Sequence, residues 1–153
     1  MTSPMSVPGS VGAHGLSRVE LSLPADPQML FLARMAAAAV ATRAELSYEQ
    51  VEDLRLAIDE LCVALLGSRS GAGQIALLFQ WDAEGTLDVV GTLVPDGDPS
   101  PSTNGKAPER TGPPLSYELS QRILDALVDD HGADAIGGVH RAWLRMRRQE
   151  LSV

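Results

Sequence analysis

Residues Arg18–Pro24 alternate without a break. Val19, Leu21 and Leu23 fall on one side, and Arg18, Glu20 and Ser22 on the other. A period of two predicts a half-buried strand, and Pro24, which has no amide hydrogen for a ladder, ends it. Asp26-Pro27 predicts a helix start, with an oxygen to accept from first-turn amides and a proline whose missing N–H is no loss there. From that point to about Thr42, Met29, Leu30, Ala33, Ala36, Ala37 and Val40 recur at helical spacing. Most are small, which lets this helix lie close to a neighbour. Ser47 and Gln50 have the Ser-x-x-Gln spacing of a capping box and open a second helix running to about Ser68.

Two more strands, QIALLFQW and TLDVVGTLV, are joined by Asp82-Ala83-Glu84-Gly85, a length and composition suited to a hairpin. Residues 95–114 have no period and carry most of the prolines, so they predict a long, lid-like loop. Ser116 is placed to cap a third helix in which Leu119, Ile123, Ala126 and Leu127 share a face. Gly137-Gly138 precede a last strand, VHRAWLRMRR, with Ala142, Leu144 and Met146 inward and Arg141, Trp143, Arg145 and Arg147 outward. The order strand, helix, helix, strand, strand, loop, helix, strand has too few crossovers for a doubly wound sheet. It predicts an α+β two-layer sandwich, a mixed, mostly antiparallel sheet with helices on one face. A flexible N-terminal tail is expected over 1–16, a single domain over 17–148 and a C-terminal tail over 149–153.

Composition narrows the function classes. The 153 residues are one domain's worth, and 44% of them are apolar, which excludes wholesale disorder. No apolar run reaches the ~20 residues of a membrane span, so no membrane partner is expected. Cys62 is the only cysteine, which excludes an internal disulfide framework and a multi-cysteine zinc site. Twelve basic against twenty acidic residues give a net charge of −8, a poor match to direct nucleic-acid binding. Basic partners or apolar grooves fit such a chain better. The opening MTSPMSVPGSVGAHG lacks the basic start and apolar core of a secretory signal, and a cytoplasmic protein is expected.

The second helix carries the oddest residue. Val51, Leu54, Ile58, Leu61 and Leu65 form its core stripe, while Glu52, Arg55 and Asp59 form a wet face with ion-pair spacings. Glu60 belongs to neither, because its neighbours three and four residues away are Leu56, Ala57, Val63 and Ala64. A carboxylate buried unpaired among hydrocarbon has a raised pKa and is a general-base candidate beside a cavity. The other reading is a rim carboxylate that reaches water or a backbone amide.

LSLPADPQMLFLARM followed by YEQVEDLRLAIDELCVALL resembles the anti-sigma factors of the RsbW/SpoIIAB type, within the histidine-kinase-like (GHKL, Bergerat-fold) ATPases. The resemblance covers residues 18–94 and, less closely, 115–148. It implies the Bergerat fold and a Glu-x-x-x-Asn signature on the second helix, where Glu is the general base and Asn holds magnesium. Glu60 falls on the Glu position, but Ala64 stands at the Asn position and has no oxygen for a hard cation. An Asp-x-Gly-x-Gly motif is implied after the third strand. Asp96 and Gly97 sit near that place without the full pattern, and also read as a Pro-Asp-Gly turn. Lys106 and Arg110 lie where a phosphate-gripping lid is implied, and Gly137 and Gly138 where the last motif is. With these departures the expectation is weak binding of ATP or ADP, no magnesium and no bound metal, and little serine-kinase activity.

By the same resemblance Arg34 helps hold a protein partner. The implied partners are a sigma-B/sigma-F-class sigma factor and a STAS-domain anti-anti-sigma protein that competes for release. An active ATP-dependent serine kinase acting on that antagonist is the rival expectation, and a GHKL relic regulating some other protein is a third. Ile75, Leu77, Phe79 and Trp81 alternate with Ala76 and Leu78, so that strand is apolar on both faces. Helices cover one face, and a second copy of the chain is expected on the other, a homodimer. The outward Arg141, Trp143, Arg145 and Arg147 fit such an interface better than nucleic acid. Cys62 reads as a small buried hydrophobe, and His14, His131 and His140 have no ligand-like spacing.

Overall fold

The computed structural model describes residues 15–67, 73–95 and 115–150. Five strands and three helices follow in chain order: β1 (Ser17–Pro24), α1 (Leu30–Arg43), α2 (Tyr48–Leu66), β2 (Gln74–Trp81), β3 (Thr86–Val94), α3 (Leu115–Leu127), β4 (Asp130–Ile136) and β5 (Val139–Arg147). The strands form one sheet in the order β1-β2-β3-β5-β4. All four pairings are antiparallel, so the expected mixed sheet is antiparallel throughout its described strands. With the helices on one face this is the α+β two-layer sandwich expected, and it is consistent with a histidine-kinase-like fold. No helix among the described residues is long and apolar enough to cross a membrane.

Register puts the inward side chains in rows across the strands, with Val19 at the exposed edge. Val19, Phe79, Val89 and Leu144 make one row, and Leu23, Ile75 and Leu93 another. Phe79, Val89, Ile75 and Leu144 are buried under α1 and α2. Gly91 lies in the row between them, where an added Cβ would fall 2.6 Å from a Leu65 methyl and 2.7 Å from a Leu61 methyl. Its lack of a side chain lets α2 rest directly on β3.

The predicted caps form. Asp26 accepts from the Gln28 amide at 2.9 Å and opens a 3₁₀ turn, Pro27–Met29, that leads into α1. Ser47 and Gln50 close a reciprocal capping box at the start of α2. Between these helices Glu45 adopts φ 61°, the left-handed position usually given to glycine. The Glu45 amide donates to Thr42 O at 3.1 Å, and the Leu46 amide to Ala41 O at 3.0 Å, the paired bonds of a Schellman ending.

Two expectations are corrected. The sequence reading has four strands; β4 is a fifth, joined to β5 through Gly137 and Gly138 at φ 60° and 80°. Positive φ at both positions suits the twist of a two-residue hairpin turn. The third helix is rotated from the expected face: Ser120 and Leu124 are buried, Ile123 and Leu127 of the expected face are half-buried with Leu127 against the core, while Leu119 is 60% exposed and Ala126 is exposed. It begins at Leu115, so Ser116 lies within the helix and not ahead of it.

Candidate functional site

Glu60 and Asp59 sit in the second half of α2, where α1 packs along one side and α3 along the other. Glu60 is half-buried, and its Oε2 accepts a hydrogen bond from Ser120 Oγ at 2.6 Å. Ser120 is itself buried, which explains the rotation of α3: the helix turns a hydroxyl inward to meet the carboxylate. A carboxylate left there without a donor would carry its full desolvation penalty. No sequence spacing linked Ser120 to Glu60, because the pairing arises only when α3 docks.

On the other side, Arg34 of α1 reaches Asp59 with a single long contact, Nη1 to Oδ2 at 3.4 Å. Burial pushes the Asp59 carboxyl above its ordinary 3.8, with the neighbouring Glu60 charge adding and Arg34 and Arg55 opposing. The Arg34 contact therefore does not make up for the water lost around Asp59. Arg55 turns away to pair with Glu52 at 3.1 Å, as their spacing predicts.

Large apolar side chains surround the Arg34–Asp59 pair on the solvent side of the helical layer. Phe31 and Met35 flank Arg34 on α1, and Leu56 and Val63 flank Asp59 on α2; each is 46–65% exposed. Together they make an apolar band on α1 and α2, and Leu119 of α3 is exposed as well. Singly exposed hydrophobics are ordinary, but a contiguous group of this kind marks a contact surface.

Ala64 lies one helical turn beyond Glu60. It borders a pocket of about 210 Å³ walled by Leu65 and three further alanines, with His140 and the Asp134–Arg141 pair also lining it. Ala64 offers no side-chain oxygen there, and the one carboxylate in the wall, Asp134, has both oxygens held by Arg141, so the described part does not fit a magnesium site. Asp96, Gly97, Lys106 and Arg110 lie outside the described residues. Gly137 and Gly138 form the β4–β5 turn. Cys62 is fully buried on α2, where burial and the nearby Asp59 push its thiol up to about 12, so it stays a neutral packing group.

The outward face of β5 is as expected, and two of its three arginines have carboxylate partners. Arg145 grips Asp88 of β3 through two bonds, at 2.6 and 3.2 Å, and Arg141 grips Asp134 of β4 at 3.1 and 2.6 Å. These forked pairs staple the sheet across strands.

Several known proteins match the chain under the description Serine-protein kinase RsbW, among them those of Bacillus cereus, Bacillus thuringiensis and Bacillus anthracis. Each is 30% identical over 64 residues, which is 40% of this chain and 40% of the relative. The chain thus aligns with about 40% of the length of the curated relatives it matches. No protein-family model matches it. Over that segment the chain is similar to RsbW-type serine-protein kinases.

Proposed function

We propose that the protein is an anti-sigma regulator of the RsbW type, which sequesters a sigma-B/sigma-F-class factor and lets it go when a STAS-domain antagonist competes. The observation that carries this reading is the apolar band around Arg34 on the helical layer, on a chain similar to RsbW proteins. The apolar side chains supply the area for a partner, and Arg34, 42% exposed and weakly held by Asp59, supplies a cation to orient it. Occlusion of the sigma factor needs no chemistry. In this reading the nucleotide site is eroded, because Ala64 removes the magnesium ligand on which efficient phosphoryl transfer depends. The outer sheet face, with Leu78, Val90 and Trp143 in one row, is where a second copy of the chain would pack.

Co-purification from the native organism with mass-spectrometric identification tests the partner. A sigma factor is expected, and Arg34→Glu should weaken its capture about tenfold or more. Unchanged affinity would remove Arg34 from the interface.

The rival reading is an active serine kinase. It has Glu60 and the description of the relatives in its favour, and Ala64 against it. Incubation with ATP, magnesium and the cognate antagonist separates the two, since robust serine phosphorylation would establish the kinase.

A further inference from the structure

At the other end of α2, beyond its capping box, a second concavity of about 330 Å³ opens between the end of α1, the β2–β3 turn and Arg148. Its walls include Arg43, Glu45, Trp81, Asp82 and Arg148. Glu60 is twelve residues up the helix from Tyr48, about 18 Å away along its axis, so this pocket is separate from the candidate site above.

Arg148 is built into the pocket. One of its nitrogens, Nη2, donates to Ala44 O at 3.0 Å at the end of α1 and lies 3.6 Å from the Glu45 carboxylate. Its Nε is buried and has no acceptor among the described residues. The turn is shaped around this side chain: a Cβ on Gly85 would fall 2.5 Å from Arg148 Cβ and 2.6 Å from Nε. Nε is closed off against Gly85, which fixes the side chain in place, so an arriving oxyanion would meet the outer nitrogens of the guanidinium, the side chain being 30% exposed.

The charges leave room for an anion. Arg43 takes part in no ion pair among the described residues. Asp82 is already engaged, its Oδ1 accepting the Glu84 and Thr86 amides at 3.0 Å each. Glu45 is 79% exposed and touches Arg148 only at long range. Two guanidiniums, one of them without an ion pair among the described residues, therefore line the pocket beside the half-buried Trp81. A planar guanidinium holds carboxylate and phosphate oxygens in pairs, and an indole takes a flat apolar body.

We propose that this pocket binds a small organic anion, a carboxylate or phosphate on a flat apolar body. The oxyanion sits on Arg43 and Arg148, and the body lies against Trp81. This site does not depend on the sigma-factor reading.

The indole N–H resonance of Trp81 in the full-length protein is the probe; the other tryptophan, Trp143, is told apart by Trp143→Phe. Titration with benzoate, phenyl phosphate, inorganic phosphate and neutral benzamide, at fixed ionic strength, separates the sources of affinity. Saturable shifts in the millimolar range or below are expected with benzoate and phenyl phosphate, and none with benzamide. The stronger of the two names the anion, and inorganic phosphate reports the oxyanion alone. Arg43→Gln, at an exposed residue without an ion pair, should fold normally and weaken binding about tenfold. Absence of saturation, an equal response to benzamide, or unchanged binding in Arg43→Gln would overturn the proposal.

Discussion

Gln50 and Glu60 stand ten residues apart on the same helix, each a polar side chain turned out of solvent, and they are treated differently. Gln50 is 4% exposed and makes three of its four side-chain bonds: Nε2 donates to Arg147 O at 2.6 Å, and Oε1 accepts the Ser47 and Gln149 amides at 3.2 Å each. It ties the start of α2 to the end of β5. Glu60 is half-buried and has one hydroxyl donor. A carboxylate has about four lone-pair sites and Glu60 fills one, whereas Gln50 has filled both acceptor sites of its oxygen. A buried amide bonded to three backbone groups holds a fold together, whereas an under-used carboxylate at a helix junction remains open to another donor.

The largest effect should come from Gln50. Gln50→Ala strands the Arg147 carbonyl and the Gln149 amide, and a loss of about 2–4 kcal/mol in denaturant unfolding is expected. Ser120→Ala should cost about 1–2 kcal/mol, because it leaves the Glu60 carboxylate without its donor. Glu60→Gln keeps an acceptor for Ser120 and should change stability by about 0.5 kcal/mol or less. If Glu60→Gln proves as damaging as Gln50→Ala, the contrast fails and Glu60 is a structural residue of the same kind.

The smallest effect is a pH dependence at Asp59. Its carboxyl is held above the ordinary value in the folded chain, so the folded state binds that proton more tightly. Stability from this source is full below the ordinary pKa and is lost as pH rises through the elevated one. Thermal melts of the protein and of Asp59→Asn should therefore diverge as pH climbs from about 4, with the native protein losing ground. Parallel curves would show that Arg34 fully compensates the burial.

Much of the fold was legible because it is written in period and punctuation. β1, β2, β3 and β5 alternate, and Asp26, Ser47 and Gln50 announce helix starts that the structure shows bonded. The missed strand, β4, reads Asp130, His131, Gly132, Ala133, Asp134, Ala135, Ile136, with no large apolar residue before its last position. The signal that would have found it was Gly137-Gly138 read as a two-residue hairpin turn, not only as a break before the last strand. At the candidate site, Glu60 stood out from its apolar neighbours, and Arg34 was reached through the family resemblance. Ser120 could not be, since helix periodicity favoured Leu119 and Ile123, and only docking decides which face of α3 turns inward. Asp59 was read as a wet-face residue; its desolvation depends on α1 lying alongside.

One glycine accounts for how β4 finds its place without a pattern. A Cβ on Gly132 would fall 2.2 Å from the Trp143 indole, so the ring lies across the bare backbone of that residue. A slip of two residues either way keeps the same face outward but slides Asp130 or Asp134 beneath the aromatic plate. Either would collide with it. The indole acts as a key that fits one notch, fixing the outermost strand by a gap in its side chains where other strands are fixed by their bulk.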